Sequence, residues 1–340
     1  MGFKRFDPED LVISNDSVTA TVFSNNAPTL TSFYTSSVQT AGNVGEFYYD
    51  VYQTSSTATA AAVQFNIVYG DLKGSGSAYY NIGVPGATPT RTMYGQYRTL
   101  VLGDENASFV FGNQTSEYFY ALNVERARYK EKLLPGTMTL SLQGPGGAVI
   151  SLTDDSTIQS SVTYTDAGRK YNLVSGSAGS VYTGVNTTGW TAGSGSYGWF
   201  LPDIGVLMLS GEALDGVVGD GGIALNTTRT PNVASYNQDK LFKSLNDGSG
   251  WTINSEETLS SDFIFVRARN SEFNYSENPS FISGSTGEVI FDTFIDSPKT
   301  YITTVGMYND NNELLAVAKL SRPLPKDFTK ELLVRVKLDF

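Results

Sequence analysis

The sequence predicts a mainly β protein, several β-sandwich-like domains carrying one or two short helices and long Gly/Ser-rich loops. Three observations predict it. Apolar and polar side chains alternate with a period of two through the last forty residues, as half-buried strands require. Twenty Tyr and nineteen Phe supply large contact area suited to a pleated surface. Ser, Thr, Asn and Gly fill the intervening stretches and favour turns over long helices. At 340 residues the chain exceeds one small core, so two domains, or one with a large insertion, are expected. Changes of texture place the boundaries: an N-terminal β-domain over 1–136, an inserted small β-region over 137–194, and a C-terminal β-domain over 195–340. The last either packs with 1–136 or stands apart from it.

Taken in order, residues 11–23 and 30–34 read as strands broken by Asn25-Asn26-Ala27-Pro28. Residues 46–52 and 63–69 are two strong strands, the second ended by Gly70-Asp71. Residues 74–90 have the Gly, Ser and Pro content of a long surface loop, the kind of segment that carries binding elements. Residues 98–102 and 108–111 read as strands around the turn 103–106. The charge cluster 125–132 favours a short helix stopped before Pro135-Gly136. From 137 to 194, Met138, Leu140 and Leu142, then Val149, Ile150 and Leu152, are interspersed with Gly and Ser runs. These predict a small β-domain or projecting hairpins. Residues 199–209 return to a core-like texture, and 239–245 predict an amphipathic helix with Leu241, Phe242 and Leu245 inward. Residues 263–270 open the last β-region. No repeat of fixed period appears, which argues against a β-helix or propeller.

In the closing segment, Tyr301, Thr303, Val305 and Met307 fall on one face, and Ile302, Thr304, Gly306 and Tyr308 on the other. The turn Asn309-Asp310-Asn311-Asn312 leads to the apolar return 314–318, which predicts a hairpin. The final run puts Leu332, Val334, Val336, Leu338 and Phe340 on one side, alternating with Arg335, Lys337 and Asp339. A strand ending on an aromatic side chain is expected to be covered, by the chain's own core or by a neighbouring subunit. Leu332, Val334, Arg335, Val336, Lys337, Leu338 and Phe340 are therefore the candidate partner interface.

The wording TYITTVGMYNDNNELLAVAKLSRPLPK followed by LLVRVKLDF resembles the closing segment of structural proteins in the tails and baseplates of contractile-tailed bacteriophages, especially T-even-like phages and their cyanobacterial relatives. The opening KRFDPEDLVISNDSVTATVFSNNAPTLTSFYTSS and the stretch YGQYRTLVLGDENASFVFG are similar to the same group, and together these segments cover about a quarter of the chain. The resemblance implies a virion structural protein. It best suits a baseplate wedge or adaptor subunit assembled in the host cytoplasm with other tail and baseplate proteins, as a homo-oligomer within a six-fold assembly. The alternative is a receptor-binding or fibre-attachment protein that recognises host glycans through exposed Tyr and Trp.

Net charge is −11, which argues against binding nucleic acid over the whole surface. Residues 319–340 hold six basic side chains (Lys319, Arg322, Lys326, Lys330, Arg335, Lys337) against three acidic ones. That local +3 leaves −14 on the rest of the chain. Such an electropositive end either steers head-to-tail docking or onto an acidic partner, or is a solvated, Lys- and Arg-protected strand edge. Arg126, Arg128, Lys130 and Lys132 read more simply as a solvent-facing or interface helix than as a nucleic-acid contact. No apolar stretch reaches the length of a membrane helix, so no membrane partner is expected.

The chain contains neither Cys nor His. Disulfides, thiolate sites, Ser-His-Asp and Cys-His catalysis and the usual zinc sites are thereby excluded. Carboxylate chemistry is what remains. Asp154-Asp155 and Glu256-Glu257 are adjacent pairs, but a glycosidase needs a defined separation in space. The expectation is a non-enzymatic chain with no catalytic residue, cofactor or metal. The run 215–222 reads as a glycine-rich turn rather than a calcium loop, lacking the EF-hand pattern. The clusters Tyr48-Tyr49, Tyr79-Tyr80, Tyr118-Phe119-Tyr120, Trp190, Tyr197 and Trp199 read as core or interface anchors before a sugar-stacking surface.

Overall fold

The run Tyr118–Val124 is apolar at successive positions because both faces of its strand are covered. Tyr118, Tyr120, Leu122 and Val124 enter one hydrophobic cluster, and Phe119 and Ala121 enter another. In this computed structural model, which describes residues 8–35, 48–76, 89–182, 196–230, 236–275 and 280–339, that strand lies inside a large antiparallel sheet. To one side the order is Val63–Asp71, Tyr48–Tyr52 and Tyr34–Thr35. To the other it is Val206–Ser210, Gly198–Leu201, Gly168–Ser177, Val149–Asp154, Thr139–Gln143, Trp251–Thr252 and Thr29–Leu30. Mainly β character is thus the observed fold class.

The period of two sorts the side chains between the faces. Phe65, Ile67, Tyr69, Leu207, Leu209, Phe200, Leu173, Leu140 and Trp251 point to the face covered by Leu241 and Leu245 of the helix Asn237–Asp247. Trp251 is at its centre, edge-on to Phe65 at 4.9 Å and to Phe23 at 5.7 Å. The opposite face, with Val68, Trp199, Leu201 and Met208, is covered by the helix Pro89–Leu102 and the small hairpin of Phe109–Phe111 and Gln114–Ser116. Among the described residues no helix is long and apolar enough to cross a membrane.

The chain divides into two compact units, Val18–Glu257 and the pair of segments Met1–Ser17 with Thr258–Phe340. The boundaries expected at 136 and 194 are corrected accordingly. Thr139–Gln143, Val149–Asp154 and Gly168–Ser177 are no insertion, since Leu140 pairs with Trp251 and Leu173 with Gly198 in the main sheet. Long-range pairing of this kind leaves no local mark. The division falls within the strands Leu11–Thr21 and Asn254–Ala268.

In the smaller unit, Asn254–Ala268 is flanked by Leu11–Thr21 and Leu332–Asp339, and the hairpin of Thr300–Tyr308 and Leu314–Lys326 forms a second sheet. Met307 packs with Val334 and Val336 between the two sheets, a sandwich-like arrangement. The predicted hairpin is present with one change. Ile302 pairs with Leu324 but Thr304 with Lys319, and this bulge breaks the strict alternation, so Val305 and Met307 face inward while Tyr301 is 61% exposed. Lys326 ends the hairpin fully buried. Its ammonium donates to the carbonyls of Asn270 (3.0 Å) and Asp327 (2.8 Å) and to Asn274 Oδ1 (2.8 Å).

Two local expectations are overturned. Residues 98–102 are not a strand but the end of the 14-residue helix Pro89–Leu102. Pro89 suits its first position, and Tyr94, Tyr97 and Val101 bury one face at helical spacing. The charge cluster 125–132 forms only the 3₁₀ turn Arg126–Arg128 and the short strand Lys132–Leu133. Its lysines find partners across strands, Lys130 with Glu257 at 2.7 Å and Lys132 with Glu256 at 3.3 Å, and Tyr129 is buried beneath the Arg126 guanidinium. Most of the 74–90 loop lies outside the described residues.

Candidate functional site

The closing strand Leu332–Asp339 runs in unbroken antiparallel register with Asn254–Ala268, from Ala268 opposite Leu332 to Ser261 opposite Asp339. Its two faces have different fates. Val334 and Val336 are buried, and Leu332 and Leu338 pack with them against Met307, Val305, Ala316 and Leu320 of the hairpin. The cover left open between own core and neighbour is therefore the chain's own core. This corrects the candidate interface for Leu332, Val334, Val336 and Leu338, since side chains spent on the interior are not available to a partner. Phe340 lies outside the described residues. Arg335 and Lys337 remain on the outer face, their cationic ends 5.5 Å and 5.7 Å from the Phe263 ring, with Lys337 also 2.9 Å from Asp339. One edge of this strand pairs with no other described strand.

The second concentration of polar chemistry lies in the larger unit, where sequence reading marked almost none of it. Asp71, at the end of Val63–Asp71, is fully buried. Its Oδ1 accepts from the amides of Lys73 (2.8 Å) and Ser75 (3.3 Å), and its Oδ2 from Arg229 Nε (2.6 Å). The Arg229 guanidinium lies 4.5 Å over the Tyr118 ring and 3.0 Å from Glu117 Oε2, which also receives Lys73 Nζ at 3.0 Å. Burial opposes the Arg229 charge, yet its hydrogen bond to Asp71 and the neighbouring carboxylates raise its pKa above the ordinary value. Hydrogen bonds from Lys73 and then Arg229 hold the Glu117 carboxyl below the usual range.

Glu212, in the short helix Gly211–Asp215, is perturbed the other way, raised chiefly by burial. Opposite shifts in neighbouring carboxylates are what a two-carboxylate hydrolase uses. Here the oxygens of Glu212 are occupied by Ser116 Oγ and by the Glu117 amide at 3.1 Å. Asp215 is likewise engaged, accepting from Tyr118 OH (2.8 Å) and from the amide and hydroxyl of Thr227 (2.8 and 2.9 Å). These groups tie the sheet, the helix and the 225–229 loop together. Asp215 is thereby drawn away from the cation-binding reading of 215–222, and no group of three or more acidic side chains among the described residues is arranged to hold a metal.

The other singled-out residues are structural in position. Asp154 is buried with both oxygens accepting from the Gly136 amide, and Asp155 accepts from the amide and side chain of Asn172. Tyr118, Phe119, Tyr120, Tyr197 and Trp199 are core residues, as the anchor reading expects. Tyr48 is exposed, Tyr49 packs on the core, and Tyr79, Tyr80 and Trp190 lie outside the described residues. A depression of about 700 Å³ on the sheet is lined by Val149, Ile150, Ser175 and Tyr182 among others, with no charged side chain to act as acid or base.

The fold and these sites define a two-unit, mainly β protein whose carboxylates brace the sheet and whose smaller unit presents its chemistry on outward strand faces. No family model matches the chain, and no curated protein or solved structure matches it either.

Proposed function

We propose that the protein is a non-enzymatic assembly subunit, a wedge or adaptor in the baseplate of a contractile phage tail, acting through protein–protein interfaces. One observation carries the assembly reading. Among the described residues of the smaller unit, fifteen large apolar side chains are exposed and only Ala268, Met307, Val334 and Val336 are buried apolar ones. A unit that exposes more than it encloses gains its remaining burial from a neighbour. The phage context comes from the resemblance of the opening, middle and closing segments to tail and baseplate proteins. The edge of Leu332–Asp339 that pairs with no other described strand and the outward Arg335 and Lys337 support docking by strand pairing and charge.

Electron microscopy of intact particles labelled with gold-conjugated antibody against this chain tests the reading. Label on the distal plate of the tail is the expected result. Label at fibre tips would favour the receptor-binding alternative, and particles without label would remove the virion assignment.

A further inference from the structure

Within the smaller unit, two exposed apolar surfaces carry opposite charge. The first is a knob over residues 281–296. It is an ordered element, with Phe281 packed edge-on to Phe294 at 4.1 Å, Ile282 bridged to Val289, and the short helix Thr293–Asp296 closing it. Ile290, Phe291 and Ile295 project from it, Ile295 being 69% exposed. Glu288, Asp292 and Asp296 surround them, and residues 280–298 contain no Lys or Arg.

The second is the outer face of the hairpin of Thr300–Tyr308 and Leu314–Lys326. Val317 stands opposite Gly306, with Leu315 (68% exposed) and Tyr308 beside it. Gly306 matters here. A Cβ on it would lie 2.9 Å from the Tyr308 ring, so glycine lets that ring settle over the strand and leaves Val317 open. Lys299, Lys319 and Arg322 are exposed around this face, and residues 299–308 and 314–326 contain no Asp or Glu. None of these three cations forms an ion pair among the described residues.

We infer that the partner of this hairpin face is a second copy of the same chain, whose acidic 281–296 knob docks on it head to tail. Apolar side chains at the centre of each surface with complementary charge at the rim are the composition of a specific interface. Each copy offers both surfaces at once, so the contact is heterologous and propagates into a ring or a filament according to the rotation between copies. The inference rests on the assembly reading and gives it a named contact.

Sedimentation velocity of the full-length chain is the test. The wild type is expected to associate with increasing concentration and to dissociate in high salt. The paired reversals Lys319→Glu with Arg322→Glu, and Asp292→Lys with Asp296→Lys, should each lose the oligomer, and their equimolar mixture should regain it because each reversed face then meets its complement. Circular dichroism checks folding, and Val317→Lys, on the solvent face, replaces a hairpin variant that fails to fold. A wild type that stays monomeric at all concentrations, single-face variants that still associate, or a mixture that stays apart would each overturn the inference. A monomeric chain that still labels the tail overturns only this contact and leaves the assembly reading in place. An oligomer absent from particles does the reverse.

Discussion

Arg229 Nε lies 2.6 Å from Oδ2 of Asp71, joining residues 158 positions apart, and the aspartate is fully buried. The Arg229 side chain is about a quarter exposed, so water already screens part of its charge. Removing it leaves a buried carboxylate supported only by the amides of Lys73 and Ser75 and the hydroxyls of Ser75 and Tyr69. Arg229→Ala is therefore expected to cost about 3 kcal/mol, the low end for breaking a buried pair. Arg229→Lys should cost less but not nothing, because a point charge cannot both reach Asp71 and lie flat on Tyr118. Urea unfolding of the two variants measures this: equal losses would show that the retained charge recovers nothing, and a Lys variant as stable as wild type would show that stacking contributes nothing.

Stability should respond to acid in two opposed ways. The pKa of Asp154 is raised chiefly by burial, against the hydrogen bonds from Ser156 and Gly136 that favour its ionised form. A carboxyl raised in the folded state takes up a proton on folding. Its ionised form therefore opposes folding near neutral pH, and stability rises as pH falls through the raised value toward the unfolded value of about 3.9. For Asp203, burial raises the pKa, but the hydrogen bonds from Arg169 outweigh it and the net direction is down. Its contribution is present above about pH 3.9 and is lost as pH falls through the lower folded value. Asp154→Asn, which keeps an acceptor for the Gly136 amide, should flatten the rise between neutrality and about pH 4 and leave the acid loss in place. Asp203→Asn should lower stability at neutral pH and weaken the acid loss. Melting temperatures measured from neutral pH to below the unfolded value of about 3.9 decide both, and an Asp154→Asn profile parallel to wild type would remove the first.

What the sequence made legible follows from how local each signal was. The strand over Val206–Ser210 was readable as core because burial on both faces leaves a continuous apolar run, whereas of Tyr118–Val124 only the cluster Tyr118-Phe119-Tyr120 was readable, as core or interface anchors. The helix Asn237–Asp247 was readable because Leu241 and Leu245 are one turn apart amid polar residues. Pro89–Leu102 was not, since its anchors Tyr94, Tyr97 and Val101 belong to residue types that also favour strands, and the loop texture before it hides its start. The division into units and the Arg229–Asp71 contact depend on pairings over more than a hundred residues, which composition and periodicity do not encode. For the closing strand the alternation was read correctly, but it could not say which covering surface the apolar face meets.

That last point gives the sharpest mutational contrast. Val334 is 7% exposed and faces Met307 across the two sheets, while Leu333, the next residue, is 57% exposed and faces outward. Truncating Val334 to Ala removes two buried methyl groups and leaves a small void, a loss of about 2 kcal/mol. Leu333→Ala removes more atoms yet should stay within about 0.5 kcal/mol, because those atoms already meet water. Deleting 332–340 cannot separate assembly from folding, since it removes this inner face along with the outer one. The paired variant Arg335→Glu with Lys337→Glu can. It forfeits at most about 1 kcal/mol per exposed cation–π contact with Phe263 while inverting the outward charge. Thermal unfolding and particle incorporation of the three proteins should then part company: Val334→Ala is less stable, Leu333→Ala is unchanged, and the charge-reversed chain is nearly as stable but poorly incorporated. Equal losses for Val334→Ala and Leu333→Ala would mean that the inner and outer faces of this strand are misassigned. Normal incorporation of the charge-reversed chain would mean that its outer face meets no partner.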